Sequence, residues 1–274
     1  MSLAGVKVVF SVAVFLMGVF GVLSAVALRS GASGTRFMAW GDTLAGGVLA
    51  GAGLAHLLSD GANGFRAVAP GMDYPVAFVL AGVGFLLILL IEAVIVPGGD
   101  QTEAAFHCGA EGTSHEIRPW SHRGERRPYS FILLLVLSVH SVIIGMALGA
   151  QRSLTTALAI FIAIMAHKGM AGFALGVSYR RTGASLRGIV PAALFFACMT
   201  PLGILASTAI DSLIAADSRM LFEAVFNSLG AGTFLYIATM DIIRTEFELP
   251  GDNGPKWFLA ATGFALMALL AVWI

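Results

Sequence analysis

Apolar residues in this chain come in long unbroken runs rather than alternating with polar ones. Windows of about 20 such residues, the length that crosses a hydrocarbon layer as a helix, fall at about 8–28, 40–60, 74–96, 130–150, 154–176, 186–209, 220–243 and 257–274. Lipid leaves backbone N–H and C=O groups no water to bond, so such runs predict helices. The lack of a two-residue alternation argues against barrel strands. The pattern therefore predicts an all-α membrane protein, one domain over 1–274 built as a bundle of eight transmembrane helices. Lys7 ahead of the first run and Ala-Val-Ala at 25–27 imitate a cleavable leader. The run is longer than the apolar part of such leaders, and it is assigned as a span.

Composition agrees. Hydrophobic residues make up 58% of the chain and charged ones 12%, with a mean hydropathy of +0.88, whereas an average soluble domain carries about 25% charged residues. The remaining charges are unevenly placed. Arg29, Arg36, Arg118, Arg123, Arg126, Arg127, Arg180, Arg181, Arg187, Arg244 and Lys256 fall in one set of alternate connections; Lys7, Arg66, Arg152 and Arg219 fall in the other. Positive residues near span ends stay on the cytoplasmic side, so an even number of spans puts both termini on the non-cytoplasmic side. A net charge of zero without a basic stripe gives no reason to expect nucleic acid as a partner. Cys108 and Cys198, one in a polar connection and one in a span, suggest no disulfide framework.

Two imidazoles interrupt the apolar runs: His140 in FILLLVLSVHSVIIGMALGA (131–150) and His167 in ALAIFIAIMAHKGMAGFALG (157–176). An ionisable group in hydrocarbon is costly and is by default a functional one, and imidazole suits zinc and neighbouring divalent metals. Gly145 with Gly149, and Gly172 with Gly176, are small residues one turn apart. Such pairs let helices approach closely, and they are expected to bring these two helices near enough for the imidazoles to share one ion. Pro201 interrupts the sixth span and frees a backbone carbonyl, a candidate hinge for alternating access. The longest connection, 97–129, is polar and assigned to the cytoplasmic side. His107, Cys108, His115 and His122 there offer weak metal capture, but their spacing matches no closed tetrahedral site and a solvated linker is the plainer reading.

HSVIIGMALGAQ at 140–151 and HKGMAGFALG at 167–176 resemble the fourth and fifth spans of the ZIP (Zrt/Irt-like) metal transporters. GLAHLLSDG at 53–61, CMTPLGIL at 198–205 and EAVFNSLGAGTFLYIATMDII at 223–243 are similar to that family's second, sixth and seventh spans. The resemblance covers most of the chain and implies a single ZIP-type domain that carries divalent ions toward the cytoplasm. Zinc is the expected substrate, with iron or manganese as alternatives; there is no cofactor and no enzymatic activity. Expected partners are the ions and the lipid bilayer, with a homodimer left open, and the plasma membrane is the expected location.

The resemblance also implies roles. His140 and His167 would bind the ion, with Ser141 and Asn227 as weak oxygen ligands completing the shell. His56 and Asp60, four residues apart on one helical face, would admit it. Glu223, one turn before Asn227, and Asp241 would lie on its path, and Glu92 near a span end is a further pathway candidate. Two carboxylate positions common in the family are occupied here by Ile144 and Ala171, and Lys168 stands where many members carry Glu or Gln. An ammonium there would replace a second metal ion and repel one, so a single transport ion is expected. Rival readings are a ZIP-like metal sensor with little transport and a membrane-embedded metal-dependent hydrolase. The hydrolase needs a general base near metal-bound water, and no intramembrane carboxylate adjoins either histidine in sequence. A retinal-type pigment on Lys168 is disfavoured by eight spans.

Overall fold

The computed structural model describes residues 3–28, 32–95, 127–210, 216–249 and 251–272. All regular structure among the described residues is helical. The helices are α1 (Leu3–Ala27), α2 (Ala32–Gly51), α3 (Leu58–Val68), α4 (Val76–Leu90), α5 (Arg127–Ala150), α6 (Leu154–Arg181), α7 (Leu186–Ile210), α8 (Ala216–Tyr236), α9 (Arg244–Glu248) and α10 (Asn253–Leu270). A π-helical turn, Ala52–Leu57, joins α2 to α3; another, Ile91–Ile95, extends α4; a third, Ile237–Ile243, joins α8 to α9. His107, Cys108, His115 and His122 lie outside the described residues.

Among the described residues, six helical stretches are long and apolar enough to cross a membrane: Leu3–Ala27, Val76–Val94, Ser130–Ala150, Leu154–Arg181, Leu186–Ser207 and Met220–Glu248. They fall where the hydropathy pattern places them, and the chain is a multi-pass membrane protein. The stretches expected at 40–60 and 257–274 are helical too, with charged or polar residues in or just ahead of them. Arg36 and Asp42 sit early in α2, and Asn253 and Lys256 open α10. Helix ends follow local chemistry. Asp252 caps α10 by accepting from the Gly254 N–H at 3.0 Å. Gly183, at φ 71°, takes the left-handed turn that stops α6. Arg180 donates to the last carbonyls of α1, among them Ala25 at 3.0 Å and Val26 at 3.1 Å.

The helices pack as two groups. One joins α1, α5, α6 and α7; the other joins α2, α3, α4, α8, α9 and α10. Within each group, backbones touch through glycine. A Cβ on Gly21 would overlap the Gly169 carbonyl between α1 and α6, and one on Gly203 the Val142 carbonyl between α7 and α5. In the second group the same holds for Gly47 against Ala260 and Gly232 against Ala81. This corrects the expectation for the glycine pairs beside the histidines. Gly145 and Gly149 face Thr200 and Ile204 on α7, and Gly172 and Gly176 face Gly18 and Val22 on α1. The pairs seat α5 and α6 against different neighbours. Between the groups the fit is made by side chains: the Phe173 ring of α6 lies on Gly41 of α2.

Candidate metal site

His140 on α5 and His167 on α6 meet in the interior, their ring centroids 5.9 Å apart. Both are buried, at 7% and 4% exposure. His140 Nε2 and His167 Nδ1 have no hydrogen-bond partner in the protein. A buried polar atom without a partner costs free energy, and both histidines border one cavity. That cavity is bounded by Leu137, His140, Ser141, Ile144, Ile164, His167, Lys168, Ala171, Phe196 and Phe234. Ile144 and Ala171 give it an apolar wall.

His56 joins the pair. It sits in the π-helical turn between α2 and α3, and its ring centroid is 6.3 Å from that of His167. Its Nδ1 is 3.2 Å from Asp60 Oδ2, and the Asp60 side chain is 41% exposed. The pair thus runs from the interior to the surface. A π-turn holds one residue more per turn than the α-helix and is frequent at functional sites; here it sets the direction in which His56 leaves the helix. Among the described residues no three His, Cys, Asp or Glu side chains converge closely enough to hold an ion in this arrangement.

Lys168 is buried beside the cavity, and its ammonium is fully used. It donates to Ser141 Oγ at 2.8 Å, Thr200 Oγ1 at 3.1 Å and the Phe196 carbonyl at 3.2 Å, and it lies 3.7 Å from the Phe196 ring centroid. Three N–H donors meet three acceptors and an aromatic face. Ser141 is correspondingly engaged: its hydroxyl accepts from Lys168 and donates to the Leu137 carbonyl at 2.6 Å. Thr200, Phe196 and Phe234 were not singled out by sequence. Phe234 packs edge-on against His140 at 4.9 Å. Its signal is its spacing from Asn227, two turns along one face of α8.

The remaining expected residues lie apart. Asn227 and Glu223 are half-buried on α8 and do not border the cavity. Asp241 lies in the π-turn after α8, with Oδ2 buried and unpartnered. Glu92 lies in the π-turn after α4 and accepts from the Tyr236 hydroxyl at 2.9 Å. Each of the three π-turns therefore carries one candidate pathway residue.

Comparison with known proteins decides the family. The model described as "ZIP Zinc transporter" matches residues 98–271. Zinc transporter ZIP2 of Homo sapiens is 33% identical over 211 residues, 74% of this chain and 68% of that protein. The chain belongs to the ZIP family. Zinc transporter ZIP2 of Mus musculus is 28% identical over 257 residues, covering 83% of this chain and 82% of the relative. Zinc transporter ZIP1 of Mus musculus is 27% identical over 263 residues, covering 87% and 79%. This ZIP protein belongs to a family of transporters rather than enzymes, and its buried imidazoles are to be read in that setting.

Proposed function

We propose that this ZIP protein carries divalent transition-metal ions, zinc first, through a central site built on His140 and His167. The observation that carries the reading is that His140 and His167, each with a buried ring nitrogen lacking a hydrogen-bond partner, border one cavity. Neutral imidazole is firm enough to replace part of an ion's water shell, and two such ligands leave the set incomplete enough for release. His56 supplies a third imidazole as the ion arrives from the Asp60 side. Ser141 contributes little as a ligand, since Lys168 already takes its oxygen. Lys168 keeps the site to one ion by standing as a fixed cation on its far wall. Asn227 and Glu223 serve the ion's path when α8 shifts relative to α5 and α6, and Glu92 and Asp241 mark the way out.

In this reading α2 and α10 complete eight crossings, both termini lie outside the cytoplasm, and transport runs inward across the plasma membrane. Iron and manganese are secondary substrates. The polar segment 97–129, with His107, Cys108, His115 and His122, receives the released ion. Uptake of zinc by metal-starved cells expressing the chain tests the proposal. The His140→Ala, His167→Ala double variant is expected to lose roughly 100-fold of the expressed rate, the scale of removing two ligands at once. Undiminished uptake in that variant would remove the site assignment. Zinc binding without flux in the parent protein would favour the sensor reading.

A further inference from the structure

A cluster of buried charge lies at the end of the bundle away from Asp60. Arg181 closes α6; its Nη2 is 3.1 Å from Asp42 Oδ2 on α2 and is also bonded to Glu246 Oε1 on α9. Lys256, in the first turn of α10, donates to the Glu246 carbonyl at 2.5 Å and the Leu249 carbonyl at 3.0 Å. Asp42, Glu246 and Lys256 are 3%, 0% and 4% exposed. Arg181 alone comes from the α1, α5, α6, α7 group; the other three belong to the opposing one.

The spacing of this cluster from the imidazoles is the same on both helices. Asp42 precedes His56 by 14 residues along the continuous α2 and π-turn, and Arg181 follows His167 by 14 on α6. At 1.5 Å per residue each separation is about 21 Å. Because His56 lies beside His167 and Asp42 beside Arg181, α2 and α6 run antiparallel, with imidazoles at one level and the ion pairs at another. The site is thus flanked by an open end, where Asp60 is 41% exposed, and a sealed end. An ion leaving past the sealed end requires α6 to part from α2 and α9. The boundary between the groups is built of side chains, whereas glycine seams hold each group together internally.

We propose that Arg181, Asp42 and Glu246 form a releasable ionic latch that keeps the sealed end of the transport site closed and sets how often it opens. The proposal rests on the transport reading. Separating a buried ion pair leaves charges uncompensated until water reaches them, so the latch weights the balance between the closed state and an open one without touching the ion. Asp42 and Glu246 hold Arg181 from two helices, both through its Nη2. Lys256 ties the Glu246 turn to α10 and so fixes the receiving half.

The test uses the full chain in lipid nanodiscs, with Cys108→Ser and Cys198→Ala, and with Ala174→Cys as a reporter. Ala174 is 2% exposed on α6, two turns before Arg181. Labelling of that thiol by a membrane-impermeant maleimide reads opening of the sealed end, and zinc uptake by the same variants in cells is followed in parallel. Arg181→Gln, and Asp42→Asn with Glu246→Gln, are expected to label about tenfold faster than the parent. Arg244→Gln, which removes only an exposed pair with Glu248, is expected to label at the parent rate. Equal labelling of the parent and Arg181→Gln would overturn the latch. Should Arg181→Gln fail to fold, as judged by loss of a monodisperse peak, the Asp42→Asn, Glu246→Gln variant decides: labelling about twofold or more faster than the parent supports the latch, and a smaller change overturns it. A parent chain that shows no uptake would refute the transport reading while leaving the labelling comparison able to decide the latch.

Discussion

The helices carrying His140 and His167 keep regular α-winding from end to end, and α7 continues through Pro191 and Pro201. The helices facing them change winding three times, at Ala52–Leu57, Ile91–Ile95 and Ile237–Ile243, and those turns carry His56, Glu92 and Asp241. One group holds its polar side chains by packing: Lys168 is fixed by acceptors on α5 and α7. The other delivers them by altering the backbone. Under the proposed transport function, that difference separates two tasks, a rigid cradle for one ion and a face along which the ion is handed on. The glycine seams fit this division, because they lie inside each group and leave side chains alone to make the boundary.

Imidazoles on the two sides of that boundary should not be equal. His56→Ala is expected to cut zinc uptake about tenfold, a loss of one ligand. Asp60→Ala, on a side chain 41% exposed to solvent, should cut it only a fewfold by loosening His56. Initial uptake rates against zinc concentration check both. A loss for His56→Ala as complete as that for the double variant of His140 and His167 would put His56 inside the cradle and break the division.

Packing sharpens the comparison by a smaller amount. A Cβ at Gly232, inside the second group, would overlap the Ala81 backbone, while the nearest atoms to one at Gly41, on the boundary, belong to the Phe173 ring. Gly232→Ala is expected to lower unfolding stability by about 1–3 kcal/mol and Gly41→Ala by less than about 1 kcal/mol, because a ring can turn aside and a backbone cannot. Thermal unfolding of the detergent-purified protein measures both. Equal losses would mean the boundary is packed as tightly as the interiors.

Much of this was legible in the chain. Apolar runs announce their own length, so the six strongest spans and the burial of His140 and His167 follow from hydropathy. The family resemblance, carried by HSVIIGMALGAQ and HKGMAGFALG, agrees with the ZIP match. Glycine spacing shows that a helix face is small but not which helix meets it, and Gly145 and Gly172 accordingly found α7 and α1 rather than each other. His56 reads as a partner of Asp60 because residues four apart share a face; the π-turn that also sets its ring 6.3 Å from His167 leaves no mark in the pattern. Thr200 and the Phe196 carbonyl, which hold Lys168, lie 32 and 28 residues away on another helix. Contacts at that separation depend on the packing of α6 against α7.

The central claim is that two imidazoles on neighbouring helices grip one cation. Zinc-edge X-ray absorption on the purified chain loaded with one equivalent of zinc tests it most directly. The account predicts imidazole scattering from at least two nitrogens at about 2.0–2.1 Å, lost in the His140→Ala, His167→Ala variant. A shell of oxygen alone, or a spectrum unchanged by that variant, would contradict it.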